Sequence, residues 1–300
     1  MKVAIGQFEA SPTWEKNLKT CHALIASAKA QGAELLVLPE GVLARFTGEP
    51  SRILDAAQTL DGPFVSGIVG ATAGSELAVV VGVHEPAQNN RVYNTAIAAS
   101  NGQILASYRK LHLYDAFGVR ESDRVQPGDR LPPVFEHAGL RIGLMTCYDV
   151  RFPEVARVLS DDGADLIALP AAWRRGLLKE RHWDLLVAAR ALENTCYIAA
   201  AGECGPDNIG GSMLVDPMGV VRAQLGEAPG LLIDSIDPER LRASRQSLPV
   251  ISHRRLDIAA IVRQSRPSRP DSSSDTGPRA AGMAASAMSR GAAYQGRADQ

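Results

Sequence analysis

Six short runs of this chain, KVAIGQF, AELLVLP, LAVVVGV, LRIGLMT, ADLIALP and CYIAAAG, are apolar at nearly every position. A strand with one wet face alternates apolar and polar residues; a strand covered on both faces reads as these do. Between them the pattern predicts helices from about Trp14 to Ala30, Phe64 to Thr72, Pro153 to Asp161 and Lys179 to Asn194. The last places Leu185, Leu186, Ala189 and Leu192 on one face, expected to pack on the core. Two hairpins interrupt the alternation. VYNTAIAASNGQILASYRK turns at Asn101-Gly102, a type I′ signal, and SMLVDPMGVVRAQL turns at Pro217-Met218-Gly219.

One run echoes another. Residues 32–39 read GAELLVLP and residues 163–170 read GADLIALP, each after a helix that ends near the glycine. Any αβ unit can look like this, so the echo leaves two readings open: coincidence, or two pseudo-repeats whose sheets pack together. Only the first copy ends in Glu; the second continues Ala171-Ala172-Trp173, so a site built there would be asymmetric.

Composition narrows the class. With 300 residues and 45% hydrophobic content the chain can bury the core of one large domain, here taken as residues 1–263. Residues 264–300 contain no Leu, Ile, Val, Phe or Trp and are rich in Ser, Pro, Gly, Ala and Arg, which predicts a disordered low-complexity tail. A formal net charge of −1 favours neither nucleic acid nor an anionic membrane as partner. MKVAIGQFEAS does not read as a signal peptide and no run is long enough to span a bilayer. Cys21, Cys147, Cys196 and Cys204 are too few and scattered for a disulfide scaffold, and none sits in a zinc-type spacing. The expectation is a reduced, cytoplasmic protein without metal or cofactor.

Three stretches carry reactive groups. Cys147 follows an apolar strand and precedes RFPEVARVL, with Pro153 suited to a first helical turn. Such a strand-to-helix turn exposes the thiol and aims backbone N–H groups, Tyr148 first, at a nearby oxygen. Lys110 closes a hairpin; beside a thiol its charge would lower the thiol pKa below about 8.5 and stabilise an oxyanion. Glu40 ends a buried strand and is the candidate general base. Standing alone, each is ordinary: a packed cysteine, a solvated lysine, a strand-end carboxylate.

The wording around them changes that. LLVLPEG, SYRKLHLYD and GLMTCYDVRFPE, in this order, resemble the nitrilase, or carbon–nitrogen hydrolase, superfamily, whose catalytic set is Glu-Lys-Cys. The resemblance runs from about residue 1 to 260. It implies an α/β fold, a four-layer αββα sandwich, assembled as a homodimer or larger homo-oligomer. It also implies amide hydrolysis through a Cys147 thioester without a cofactor. A second glutamate often joins the lysine in this family; Glu121 in VRESDRVQPG is the candidate and Asp115 its rival. CYDVRFPE, HWDLLVAARALENTCYIAAAGE and GGSMLVDPMG resemble the Nit-type amidases, which act on ω-amides of small dicarboxylic compounds such as 2-oxoglutaramate and deaminated glutathione. Such a substrate needs a cation for its carboxylate. Arg151 is the candidate, with an ion pair to Asp149 or Glu154 as its structural alternative. Trp173, just past a strand end, lines the pocket or fills the core. Gly211 departs from the family, which commonly has His before Ser-Met; the core set stays intact, and the exact substrate is open.

Rival readings are a nitrilase or N-carbamoyl-amino-acid hydrolase of the same superfamily, a scaffold or binding protein that keeps the fold without turnover, and a papain-like Cys-His hydrolase using His112 or His182. Both histidines read better as hydrogen-bonded structural groups.

Overall fold

The computed structural model describes residues 1–46 and 48–256; the expected boundary at 263/264 and the tail from 264 lie outside these. Residues Met1–Arg254 form one compact unit. Among the described residues, twelve strands fall into two sheets. β1 (Lys2–Gln7), β2 (Leu35–Val37), β3 (Ala78–Pro86), β4 (Val92–Ser100), β5 (Gln103–Arg109) and β12 (Gly230–Ser235) form the first, in the order β12-β1-β2-β3-β4-β5. β6 (Val134–His137), β7 (Leu140–Leu144), β8 (Leu166–Ala171), β9 (Tyr197–Gly202), β10 (Met213–Val215) and β11 (Val221–Gln224) form the second, in the order β11-β10-β9-β8-β7-β6.

The all-apolar runs are explained by what covers each face. Val3, Ile5, Leu35, Val37, Ala78 and Val80 of the first sheet share one core with Ile142, Leu144, Leu166, Ala168 and Ala199 of the second. The alternate residues Ala4, Leu36, Val79 and Val81 face outward, onto α1 (Trp14–Ala30) and α3 (Pro63–Thr72), where Cys21, Ile25, Phe64 and Ile68 complete a second core. On the far side Ile167, Leu169, Ile198 and Ala200 meet α4 (Pro153–Asp161) and α5 (Lys179–Asn194). Helix, sheet, sheet, helix is the expected αββα sandwich. A one-turn helix α2 (Ile53–Ala56) and a terminal helix α6 (Pro238–Ser247) complete it.

Both hairpins form. Asn101 and Gly102 have φ of 47° and 77°, the two positive values a type I′ turn requires. Gly219 turns β10 into β11 with φ 75°. The expected core face of α5 forms only in part: Leu186 packs against the core, but Leu185 is 55% and Leu192 40% exposed. Trp183, Val187 and Ala191, at i, i+4 and i+8, bury instead. Arg190 Nε donates to Val150 O at 2.9 Å and Ser160 Oγ to Asn194 O at 3.2 Å, so hydrogen-bonded polar groups fix the rotation of the helix. Cys21 and Cys196 are packed and their thiols are pushed by burial up to about 12. No helix among the described residues is long and apolar enough to cross a membrane.

Candidate active site

Glu40, Lys110 and Cys147 line one cavity of about 360 Å³, although 70 residues separate the first two and 37 the last two along the chain. Each sits just beyond a strand: Glu40 after β2, Lys110 after β5, Cys147 after β7. Their exposures are 5%, 2% and 6%. The cysteine begins a short helical turn (Cys147–Arg151) with φ 43°, a conformation that costs a side chain about 1–3 kcal/mol and is held here by its surroundings. Asp149, fully buried in that turn, accepts from the Thr146 N–H at 3.1 Å, the Tyr108 hydroxyl at 2.9 Å and the His112 N–H at 3.2 Å. The Tyr148 N–H falls in the first turn, where amides have no partner within the helix.

The charges interlock. Lys110 Nζ donates to Glu40 Oε1 at 2.9 Å and to Glu121 Oε2 at 2.9 Å. Asn94 Nδ2 bridges the same two carboxylates, at 2.7 Å to Glu40 and 3.1 Å to Glu121. Glu121 also accepts from the Tyr114 N–H, and Glu40 Oε2 from the Ala172 N–H at 2.8 Å. Behind Glu40, Arg45 pairs with buried Glu203 and donates to the Glu40 carbonyl at 3.1 Å. The rival acid, Asp115, stays in the surface loop and accepts from the Ser122 N–H at 3.0 Å.

Two carboxylates around one ammonium leave the cluster net negative, and the acidities follow. Burial pulls the Lys110 pKa down, but the charges of Glu121 and Glu40 prevail and hold it well above its usual value. Burial pushes Glu40 up, yet the Lys110 charge, hydrogen bonds from Cys147 and Lys110, and the Arg45 charge bring it down to about 2. The thiol moves opposite to the sequence expectation. Burial and the Glu40 charge push Cys147 well above its usual value, and the opposing pull of Lys110 and the Ala172 amide is too weak to reverse this. Burial disfavours the thiolate most, and the negative field of Glu40 at the sulfur offsets the positive field of Lys110. The resting pair is therefore thiol and carboxylate, with the proton on sulfur.

The remaining candidates divide. Trp173 lines the cavity and belongs to the core beneath it, its Nε1 donating to Lys179 O at 2.9 Å. Arg151 is outside the cavity wall: its guanidinium lies 4.8 Å from the Trp173 ring centre and donates to His182 Nδ1 at 3.3 Å. It pairs with neither Asp149 nor Glu154 among the described residues. His112 bonds Asp149 at 2.8 Å and stacks on Phe152; neither it nor His182 lines the cavity. Sequence reasoning missed Asn94, Arg45, Glu203 and Lys179. Asn94 had a signal, an amide early in the largely apolar strand run VYNTAIAAS; Lys179 had none.

A sandwich of two such sheets, with a thiol, a carboxylate and an ammonium gathered at the strand ends, is the architecture of a carbon–nitrogen hydrolase. The chain belongs to the carbon–nitrogen hydrolase family, whose model matches residues 2–246. It is 45% identical over 255 residues to the deaminated glutathione amidase of Escherichia coli O157:H7, covering 85% of this chain and 97% of that protein. A solved amidase of Nesterenkonia sp. AN1 superposes with TM-score 0.75 at 30% identity, covering 89% of this chain and 97% of that one. That structure is a glutamate-to-glutamine mutant carrying the acetamide moiety of fluoroacetamide covalently on its active-site cysteine. Nit3 of Saccharomyces cerevisiae, a member of branch 10 of the nitrilase superfamily, superposes with TM-score 0.76 at 27% identity, over 85% and 97% of the two chains. The protein is an amidase of this superfamily, acting on the C–N bond of non-peptide amides.

Proposed function

We propose that the substrate is a small ω-amide of a carboxylate-bearing metabolite, hydrolysed to carboxylate and ammonia through a thioester on Cys147. The observation that carries this reading is the turning of Glu40 and Glu121 onto one ammonium in the cavity that Cys147 enters.

In this mechanism Cys147 Sγ attacks the amide carbon while its proton passes to Glu40. The high thiol and low carboxylate pKa favour transfer during attack over a standing thiolate. The carbonyl electron pair moves onto oxygen, which Lys110 Nζ and the Tyr148 N–H receive. Protonated Glu40 then gives its proton to the amide nitrogen as the C–N bond breaks and ammonia leaves. A water loses a proton to Glu40 as its oxygen adds to the thioester; the C–S bond breaks, the acid departs, and sulfur recovers the proton. Glu121 and Asn94 are positioning residues that fix Lys110 and Glu40. Trp173 walls the pocket, and Arg151 lies behind it.

The test is intact-mass and ammonia assay with glutaramate, the matched nitrile and the matched carbamoyl compound. Ammonia from the amide, with an acyl adduct on wild type and none on Cys147→Ala, is expected. Preferential turnover of nitrile or carbamoyl substrate would move the protein to another branch, and equal absence of adduct from both proteins would leave a scaffold. Two further proposals accompany this one. Assembly into a homodimer or larger would cover exposed Leu185 and Leu192, checked by light scattering. The four free thiols suit the reducing cytoplasm, checked by fractionation.

A further inference from the structure

The charged groups on the cavity wall differ in how they are paired. Glu40, Lys110 and Glu121 are ion-paired with one another. Its wall also carries Lys179, the first residue of α5, which is 2% exposed. Lys179 Nζ donates to the Tyr114 hydroxyl at 3.1 Å and lies 4.8, 4.7 and 4.5 Å from the ring centres of Tyr114, Phe117 and Trp173. Among the described residues it makes no ion pair with a carboxylate. Ring faces and one phenol recover only part of what an ammonium loses on leaving water, and among the described residues its side chain donates one hydrogen bond, to that phenol. Burial, with the charges of Arg151 and Arg174, pulls its pKa down against the opposing pull of Cys147 and Glu180. Arg174 itself is on the cavity wall.

We propose that Lys179 binds the carboxylate at the far end of the substrate, so that the amide is presented to Cys147. This rests on the ω-amide reading above and names the group that enforces it. The three rings form a sleeve that keeps water from the ammonium, which strengthens its attraction for an anion arriving through the cavity. Arg151, on the other side of Trp173, raises the local potential without touching the ligand, and Arg174 does so from the rim. An ω-amide then spans two ends of opposite character: a neutral carbonyl at the thiol and an anion at the lysine.

The experiment compares glutaramate with valeramide, which has the same length but carries a methyl in place of the carboxylate. The readout is the ratio of their kcat/KM values. Wild type should favour glutaramate, and Lys179→Met should lower the ratio by roughly 10- to 100-fold, mainly through the KM for glutaramate, the size expected for a lost hydrogen-bonded charge pair. Lys179→Arg, which keeps the charge, should recover much of it. The Trp173 bond goes to the Lys179 backbone carbonyl and survives either change. If Lys179→Met does not fold, Lys179→Gln serves for the same ratio. A ratio unchanged by losing the charge overturns the assignment, even if both rates fall together. Failure of the ω-amide reading is distinct: wild type would then hydrolyse valeramide as well as glutaramate, or neither.

Discussion

Strand for strand, the sheet that begins with β12 and the sheet that begins with β6 run in the same order and directions: an antiparallel edge, three parallel strands, then an antiparallel hairpin. The register can be matched residue by residue. Ile5 pairs with Val37 as Leu144 pairs with Ala168, and Val37 with Val80 as Ala168 with Ala199. Even the irregularity repeats, between Ala98 and Ala99 in one hairpin and between Leu214 and Val215 in the other. The GAELLVLP and GADLIALP echo therefore marks equivalent central strands, as the repeat reading expects. Carried along this register, Cys147 corresponds to Phe8, Glu40 to Ala171 and Lys110 to Glu227. Phe8 is core, Ala171 is core, and Glu227 is a surface residue paired with Arg175. The architecture is duplicated and the chemistry is not. The halves also meet at the site, where the Ala172 amide of the second copy holds the Glu40 carboxylate of the first. A second carboxylate there would repel the first, so one copy supplies the side chain and the other the backbone donor.

The comparison is broken most severely at its reactive positions. Cys147→Ala should abolish turnover and adduct formation, whereas Cys196→Ala, in the core beside β9, should keep kcat and lower Tm by the few degrees a small cavity costs. Glu40→Gln should reduce kcat by about 10²–10⁴, the usual worth of a positioned base. Lys110→Met should cost about 10²–10³ in kcat with little change in KM. A single-turnover assay separates these from slow product release.

The same pair of groups sets a pH profile. In the proposed mechanism Glu40 acts as base only when ionised, so lowering its pKa to about 2 moves the acid limb of kcat/KM far below the ordinary carboxylate limb near pH 4.3. Raising the Cys147 thiol removes any limb near pH 8.5. The expected profile is flat from about pH 5 to 9, and a break at the pKa of a free thiol would show that sulfur rests as an ordinary, solvated group.

A smaller break separates holding from reacting. Asn94→Ala removes the amide that bridges Glu40 and Glu121, and should lower kcat by roughly 10-fold, about the worth of one hydrogen bond to a charge. Alkylation of Cys147 by iodoacetamide should then change with pH differently from wild type, because the carboxylate beside it is less firmly placed. Loss of stability alone would leave that dependence unaltered.

What the sequence disclosed follows from which forces are local. Double-sided burial writes itself into every residue of a strand, so β1, β2, β3, β7, β8 and β9 were legible, and Asn101-Gly102 specified its turn by conformational need. β6, β11 and β12 were less so, since their residues are partly exposed and their pattern is diluted. The face of α5 was misread because four well-spaced aliphatic residues compete with Trp183 and two anchored polar groups, and only packing decides. Glu40, Lys110, Cys147 and Glu121 were readable from the wording of their motifs. The direction of the thiol shift was not, because it depends on how deeply the fold buries the sulfur and on how close it brings Glu40. Lys179 was hidden for a related reason: its sleeve comes from Tyr114, Phe117 and Trp173, which no local pattern joins.

The finest test of the duplicated architecture uses its two hairpin glycines. Gly102 and Gly219 turn matching strand pairs with φ of 77° and 75°, so an added Cβ strains both backbones alike, by about 1 kcal/mol. Their surroundings differ. A Cβ at Gly102 would meet Ala73 Cβ at 3.6 Å, an ordinary contact, whereas at Gly219 it would meet Leu192 Cβ at 3.2 Å and Ala188 O at 3.3 Å. The second pair of atoms belongs to α5, whose backbone cannot yield without moving Trp183 and Val187 in the core. Gly102→Ala should therefore lower stability by the conformational cost alone, and Gly219→Ala by that cost plus a packing penalty of about 1 kcal/mol. Urea unfolding of the two variants with unchanged slopes measures the difference, and equal midpoints would mean that α5 adjusts freely over the second hairpin.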